Sequence, residues 1–171
     1  DRNTLGKERR GREDGSCSVS ACSPESPVQG QDWRALQEKL RADLRLDTLT
    51  AFAAALCVKP DALDGLGIGY DASTDALTVP MRSAAGETIG IRRRPRKDPR
   101  SKSAVEGSCL GLFIPDGATF APEVVCEGET DTAAALTLGV SAVGLPGAGQ
   151  AVDVLAESIR QSPVACPCLI A

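Results

Sequence analysis

Apolar residues beyond position 30 first recur at helical spacing. Leu36, Leu40 and Leu44 lie four positions apart after Trp33, with charged residues between them. Asp32, just before this stretch, has a side chain of the type that caps the first turn of a helix. The pattern predicts a helix whose leucines pack into a core, which is a far commoner use of such a stripe than DNA recognition.

The next segment predicts further short helices. Thr48 or Thr50 can cap a second helix over Ala51–Val58, which Pro60 ends, and Asp61–Leu66 favours another helical turn. Glycines at positions 65, 67 and 69 then interrupt the helical pattern. Residues 31–70 are therefore predicted to form a small helical lead-in.

The apolar period changes to two after residue 75. Ala76–Met81 and Glu87–Arg93 have the alternation typical of strands, and the residues between them include a turn-forming glycine. This pattern predicts a β-hairpin that Pro95 ends, followed by an exposed loop rich in Arg and Lys. Leu110–Ile114 predicts another short strand.

Buried strands and helices alternate in the last third of the chain. The predicted order is a strand at Glu123–Cys126, a helix at Thr132–Leu138, a strand at Val140–Leu145, a helix at Ala151–Ile159 and a strand at Cys166–Ala171. Elements in this order and at this spacing predict right-handed crossovers and a parallel sheet. The expected fold class is therefore α/β.

Composition narrows the possible chemistry. The chain of 171 residues has no histidine, which excludes Ser-His-Asp and Cys-His nucleophile systems and histidine-ligated metals. Aromatic residues make up 3%, too few for a platform on which nucleic-acid bases stack. Catalysis would have to depend on carboxylates, Lys, Arg, Cys, hydroxyls or a metal held by oxygen.

The net charge of −4 conceals an asymmetry along the chain. Residues 82–102 carry eight basic and two acidic side chains, whereas residues 103–171 carry one basic and eight acidic side chains. Such a division is typical of a chain that meets a polyanion at one place and a cation at another. The basic cluster consists of Arg92, Arg93, Arg94, Arg96, Lys97, Arg100 and Lys102. We expect it to bind nucleic-acid phosphates without sequence preference, the alternative being a solvated charged loop.

Cysteine usage predicts a cytoplasmic protein. The sequence has seven cysteines, no signal peptide and no apolar run of membrane-spanning length, so we expect reduced thiols. Cys57, Cys109 and Cys126 are expected in the core. Packing is also favoured for Cys166 and Cys168, with zinc or redox chemistry as the alternative.

Residues 1–30 lack apolar periodicity and predict a disordered arm or linker. Cys17 and Cys22 in this arm would bind zinc only with an upstream module, because two cysteines do not complete a tetrahedral site. The chain begins without methionine and stops within an apolar run, which is typical of a segment of a longer protein.

A carboxylate follows the first strand of the predicted parallel sheet. Glu127 comes directly after Glu123–Cys126, at the sheet edge where ligands of α/β proteins bind, and Gly128 leaves room beside it. Such a carboxylate suits Mg²⁺, and Asp131 in the first turn of the next helix can interact with the helix dipole. We take Glu127 and Asp131 as candidate catalytic residues, the alternative being ordinary capping acids. Glu129 is expected to face solvent.

Two segments of this region resemble the first half of a TOPRIM domain, the metal-binding fold shared by primases, type IA and II topoisomerases and some nucleases. They are Val124–Leu136 and Gly139–Gly149. Three upstream segments resemble the basic subdomain that precedes TOPRIM in bacterial-type primases and in phage or mitochondrial primase–helicases. They are Leu77–Arg82, Gly86–Arg92 and Gly107–Pro115.

The resemblance covers residues 62–171 and implies a domain plan. Residues 31–70 would be the helical lead-in, 71–120 a basic β subdomain of primase type with the hairpin, and 121–171 the N-terminal part of a TOPRIM domain with partial βαβαβ topology. In the family, the glutamate matched by Glu127 holds Mg²⁺ (or Mn²⁺) together with two aspartates of an Asp-x-Asp motif. That motif would begin just past Ala171, so this segment alone is expected to bind Mg²⁺ weakly.

The resemblance also implies a function in DNA replication. We expect the intact protein to be a nucleotidyltransferase that synthesises RNA primers on single-stranded DNA from ribonucleoside triphosphates, alongside a fused or separate replicative helicase. The basic cluster would line the template or primer backbone. One alternative is DNA cleavage by a TOPRIM topoisomerase or nuclease, for which the chain offers only Tyr70 as a tyrosine nucleophile. Another is a non-catalytic nucleic-acid-binding remnant.

Overall fold

The computed structural model of the chain describes residues 31–98, 100–162 and 169–170, the last two by their backbone. The predicted arm at 1–30 and the cysteines at 17, 22, 166 and 168 lie outside the described residues. The helices are α1 (Trp33–Ala42), α2 (Leu46–Leu56), α3 (Pro60–Gly65), α4 (Glu129–Thr137) and α5 (Val152–Gln161). The strands are β1 (Gly69–Asp71), β2 (Ala76–Arg82), β3 (Thr88–Pro95), β4 (Ser103–Ala104), β5 (Val124–Glu127), β6 (Ala142–Leu145) and β7 (Leu169–Ile170).

The lead-in is helical, as predicted, but α2 begins earlier than expected. The side chain of Asp32 accepts a hydrogen bond from Ala35 N at 2.9 Å and caps α1. Helix α2 begins at Leu46 after Arg45, which makes no side-chain capping bond, so the predicted caps Thr48 and Thr50 are wrong. Both threonines lie inside the helix, because Leu49 and Ala53 beyond its first turn supply the buried face that fixes where it packs.

The hairpin is confirmed and forms the centre of an antiparallel sheet with the order β1-β2-β3-β4. Strands β2 and β3 pair from Ala76 opposite Pro95 to Arg82 opposite Thr88. The outer strands β1 and β4 were not predicted, because three and two residues are too short to show a period. Strand β1 is held in the sheet by its pairing with β2, and β4 by its pairing with β3.

The strand predicted at Leu110–Ile114 is wrong as a continuous strand. Leu112 forms a bridge with Arg82 of β2, and the next residue, Phe113, forms a bridge with Gly144 of β6. Each residue exchanges two backbone hydrogen bonds of 2.8–3.0 Å with its partner. The segment passes from one sheet to the other, so it cannot extend a ladder along either.

The parallel sheet is confirmed, with β5 between β6 and β7. Helix α4 connects β5 to β6, and α5 lies between β6 and β7 in sequence. The fold class is thus α/β, as predicted: a parallel βαβαβ unit preceded by an antiparallel sheet and three short helices.

A shared core joins the two sheets. One buried cluster contains Leu63 and Leu66 near α3, Val79 of β2, Phe113 of the bridging segment and Ala133 of α4. A second contains Leu112, Val125 of β5 and Leu155 of α5. Because Leu112 and Phe113 are neighbours, the bridging segment contributes to both clusters and fixes the sheets against each other.

The described cysteines differ in state. Cys57 and Cys126 are free thiols, the first exposed and the second buried, so the core placement is wrong for Cys57. Cys109 is disulfide-bonded, contrary to the prediction of a reduced thiol. Among the described helices, none has the length and apolar character needed to cross a bilayer.

Asp71 at the end of β1 is a buried carboxylate with strong partners. It accepts hydrogen bonds from Ser73 Oγ at 2.6 Å, from Ser73 N at 3.0 Å and from Arg93 Nε of β3 at 3.0 Å. Burial alone would raise the pKa of Asp71, but hydrogen bonds from Ser73 and Thr74 and the charge of Arg93 more than offset burial, so the pKa lies below its usual value. The ionised form is therefore the one that stabilises the fold.

We expect Asp71→Asn to lower the free energy of unfolding at pH 7 by about 1–3 kcal/mol, because it leaves buried donors without their charged acceptor. Since the folded pKa of Asp71 is depressed, its contribution is present above the unfolded pKa of about 3.9 and is lost as pH falls through the folded value. Urea unfolding at a series of pH values tests both points. Asp61→Asn removes an exposed charge on α3 and should change stability little; equal effects of the two substitutions would contradict the prediction.

Candidate functional site

Glu127 is the last residue of β5, opposite Leu145 of β6 in the parallel register. The two residues before it, Val125 and Cys126, are buried, whereas Glu127 is exposed. The central strand of the parallel sheet therefore ends with a carboxylate at the sheet's carboxyl edge, where the sequence placed it. Its role as catalytic residue and metal ligand stays a prediction.

The turn that follows Glu127 is fixed through the backbone of Gly128. This glycine has φ +90°, its N–H donates to Leu145 O at 2.7 Å, and its carbonyl accepts from Thr132 Oγ1 at 2.7 Å. Gly144 on β6 leaves the space that this arrangement needs: a Cβ there would lie 2.3 Å from Thr132 Oγ1 and 3.0 Å from Gly128 O. Glu127 thus projects from a rigid strand end.

Glu129 is buried, and the expectation that it faces solvent is wrong. Only 3% of its side chain is exposed at the first residue of α4. Arg94 Nη1 of β3 lies 3.1 Å from its Oε1, and Lys102 Nζ lies 3.0 Å from the same oxygen. Arg94 of β3 and Lys102 of the loop after it both reach the start of α4, so a carboxylate in a polar turn is enclosed by cations from a distant part of the chain.

The pKa of Glu129 is lowered despite its burial. Burial by itself would raise the pKa, but the hydrogen bond from its own backbone N–H, the hydrogen bond and charge of Lys102 and the charge of Arg94 more than offset it. Glu129 is therefore ionised at neutral pH, and this buried carboxylate forms a three-residue ion cluster with the partly exposed Arg94 and Lys102.

Asp131 lies exposed in the first turn of α4, where a negative charge interacts favourably with the helix dipole. Together with burial, which has the larger effect, its charge raises the pKa of the Cys126 thiol. Cys126 is thus a neutral thiol beneath the acidic edge. The catalytic role assigned to Asp131 from the sequence stays a prediction.

The basic cluster contains residues that pair with a carboxylate and residues that do not. Arg93 pairs with Asp71 and Arg96 with Asp75, while Arg94 and Lys102 pair with Glu129. The other three form no ion pair with any described residue; they are Arg92, Lys97 and Arg100. The predicted exposed loop begins later than expected, because β3 continues through Arg94 to Pro95.

Arg92 and Arg94 lie on the same face of β3, two residues apart, opposite Val79 and Leu77 of β2. The guanidinium of Arg94 lies 5.8 Å from the centre of the Phe52 ring, a cation–π distance. The Nε atoms of both arginines are buried without a hydrogen-bond partner. This face therefore concentrates positive charge in a partly desolvated setting.

The described residues do not by themselves complete a metal site. A carboxylate such as Glu127 is the donor type that Mg²⁺ prefers. Within residues 31–98 and 100–162, however, no group of three or more His, Cys, Asp or Glu side chains could hold an ion. Glu127 can thus contribute one ligand, and no reaction step can be assigned to a metal from these residues.

Comparisons with known proteins bear on the fold. No protein-family profile and no curated protein matches this chain. Among solved structures, the DnaG catalytic core matches at 15% identity with a TM-score of 0.54, covering 76% of this chain and 58% of that one. The DnaG primase catalytic domain bound to single-stranded DNA matches at 13% identity with a TM-score of 0.53, covering 76% and 57%. The primase fragment of the bacteriophage T7 primase–helicase matches at 16% identity with a TM-score of 0.44, covering 69% and 62%.

The two DnaG matches establish the fold of this chain. It has an α/β fold like that of the DnaG catalytic core, with the antiparallel sheet preceding the parallel one along the chain. The chain spans less than three fifths of the length of those DnaG structures.

We expect Gly144→Ala to lower the free energy of unfolding by about 1–3 kcal/mol, because the added methyl group would overlap Thr132 Oγ1 and displace the Gly128 turn. The midpoint of urea unfolding measures the effect. Gly65→Ala is the matched control, since nothing lies within 4 Å of a Cβ at that position. Unfolding midpoints that coincide for the two variants would contradict the close packing at Gly144.

Proposed function

We propose that the intact protein is a primase-type nucleotidyltransferase that makes RNA primers on single-stranded DNA during replication. The observation that carries the proposal is the exposed carboxylate of Glu127 at the carboxyl end of the central parallel strand. Two residues further on, Glu129 contacts Arg94 of the antiparallel sheet and Lys102 of the loop after β3, in a fold like that of the DnaG catalytic core. An acidic edge beside a basic strand suits a reaction between a phosphate chain and a hydroxyl.

The unpaired members of the basic cluster are proposed to contact the DNA template. Arg92, Lys97 and Arg100 have no carboxylate partner among the described side chains, so their charges can neutralise phosphates. Phosphate contacts position a strand without reading its bases, which agrees with the scarcity of aromatic residues. The sequence preference of the intact protein would therefore come from elsewhere.

Mg²⁺ (or Mn²⁺) is the cofactor that the proposal requires. When bound, such an ion neutralises charge on the nucleotide phosphates and orients the attacking and leaving oxygens. Glu127 would hold it together with carboxylates that the resemblance places after Ala171. Asp131 would keep the surrounding edge acidic. Ribonucleoside triphosphates are the proposed substrates, and a fused or separate helicase is the proposed partner.

A second candidate function is non-catalytic binding of nucleic acid. It is favoured by the incomplete ligand set of the described residues. The cleavage alternative gains no support from Tyr70, whose hydroxyl is half-buried and donates to Asp75 at 2.9 Å rather than facing a substrate. We therefore do not propose a tyrosine-dependent reaction for this chain.

We expect the triple variant Arg92→Gln, Lys97→Gln and Arg100→Gln to bind single-stranded DNA with a weaker salt dependence. Each lost phosphate contact should reduce the slope of log K against log salt by about 0.7, giving about 2 for three contacts. Fluorescence anisotropy of labelled oligothymidylate over a salt series measures the slope. Replacing three exposed cations of the lead-in, Arg34, Lys39 and Arg45, by Gln removes the same charge and should leave the slope nearly unchanged. Equal slopes for the two triple variants would rule out this surface as the template site.

We expect Glu127→Gln to lower templated ribonucleotide incorporation about 100-fold or more in the protein that includes the residues after Ala171, because a charge at the reacting centre is removed. Binding of the template should stay within about twofold, since exposed substitutions that leave the basic residues in place change little. Glu123→Gln is the control, as Glu123 is exposed just before the other end of β5. Parental incorporation by Glu127→Gln would refute the assignment, whereas template binding without incorporation by the parent would favour the non-catalytic candidate.

A further inference from the structure

We propose that Glu129 is a positioning residue that holds Arg94 and Lys102 against the turn carrying Glu127 and withholds both cations from the phosphate-binding surface. The effect of Glu129 on catalysis rests on the proposed function. The effect of Glu129 on polyanion binding depends on the ion cluster alone. From the sequence, both cations are expected to bind nucleic acid and Glu129 is expected to face solvent.

The geometry places both cations at the turn itself. Lys102 Nζ lies 3.0 Å from Oε1 and 3.2 Å from Oε2 of Glu129, so its ammonium group bridges the two oxygens. A Cβ on Gly128 would lie 3.7 Å from the same nitrogen. The ammonium group therefore lies beside the backbone that joins Glu127 to Glu129, at ordinary van der Waals distance from a Cβ built on the glycine.

Arg94 contacts Glu129 from a strand of the antiparallel sheet. It belongs to β3, its side chain is 15% exposed, and its guanidinium also contacts the Phe52 ring of α2. Its Nε is buried without a partner, so the Glu129 carboxylate is the charged acceptor that compensates this arginine. Without that carboxylate, Arg94 would be a buried uncompensated cation, and its charge would have to reorient toward solvent or an anion.

A helix-capping role does not account for this arrangement. A carboxylate that only interacts with a helix N-terminus remains solvated and needs no cations from other elements. Glu129 is instead enclosed by a strand residue and a loop residue that come 35 and 27 positions earlier in the chain. It thus joins basic residues of β3 and of the loop after it to the first helix of the parallel unit.

Removing the Glu129 carboxylate should change polyanion binding and the proposed reaction in opposite directions. The carboxylate cancels charge that would otherwise attract DNA, so removing it should strengthen polyanion binding. The same carboxylate fixes the distance between the cations and Glu127, so removing it should weaken the proposed reaction. A side chain that merely stabilises the fold would not raise one quantity while lowering the other.

The test is Glu129→Gln, which keeps the shape of the side chain and removes its charge. In the 171-residue chain, the slope of log K against log salt for oligothymidylate should steepen by about 0.7 for each cation released. In the protein extended past Ala171, ribonucleotide incorporation should fall about 10–100-fold, the usual effect of losing a group that orients a ligand. Glu123→Gln also removes one negative charge, but from an exposed side chain, and should change neither quantity.

Lys102→Gln is a second variant that does not depend on how well Glu129→Gln folds. Because Lys102 is already paired, the parent slope should stay unchanged when it is replaced alone. Combined with Glu129→Gln, the same replacement should reduce the steepened slope by about 0.7. A single Lys102→Gln variant that lowers the parent slope by a full contact would overturn the inference, since Lys102 would then bind phosphate directly.

Two other results would also overturn the inference. One is a Glu129→Gln variant whose salt slope equals that of the parent. The other is a Glu129→Gln variant that loses DNA affinity and incorporation together because it unfolds, as measured by circular dichroism. Failure of the proposed function is distinguishable from both of these results. If the proposed function is wrong, neither the parent nor Glu127→Gln incorporates ribonucleotides, while the salt slopes still report on Glu129.

Discussion

A buried carboxylate holds together the region on which the candidate site depends. Glu129 receives Arg94 from the antiparallel sheet and Lys102 from the loop after it, and it begins the first helix of the parallel βαβαβ unit. Breaking a buried pair by removing one partner costs about 3–5 kcal/mol, far more than an exposed ion pair contributes. The backbone bridges of Leu112 and Phe113 are a second connection between the sheets, made without charge. The two connections together hold the basic residues of β3 and its following loop against the parallel unit.

The ion pairs of the fold change how the charges along the sequence are interpreted. A count along residues 82–102 indicates a strongly cationic surface, but four members of the basic cluster are neutralised by three carboxylates from two places in the chain. Asp71 and Asp75 flank the turn between β1 and β2, and Glu129 comes from the parallel unit. Much of the positive charge therefore organises the fold, and a smaller part is available to a ligand. The division depends on tertiary contacts, so no linear charge plot could reveal it.

The elements predicted from sequence are those with a local signal of their own. The hairpin has apolar residues at every second position, Leu77, Val79 and Met81 in β2 and Ile89 and Ile91 in β3, and the parallel unit has apolar runs separated by helices. Both are therefore predictable from the sequence. Strand β4 has two residues and exists only because β3 offers it a partner. The start of α2 was misplaced because threonines at 48 and 50 have capping chemistry, while burial of Leu49 and Ala53 decides the outcome. Glu127 could be placed because a strand end is a local property; Glu129 could not, because its partners come from β3 and the loop after it.

Two glutamates separated by one glycine thus have opposite environments for one reason. In a strand, residues two apart would share a face, but Gly128 at φ +90° ends the strand and Glu129 already belongs to the helix. The change of direction leaves Glu127 exposed at the sheet edge and turns Glu129 into the protein. A residue with a Cβ at position 128 would be strained at this φ. The glycine therefore separates a carboxylate that is available to a ligand from one that is held by cations inside the protein.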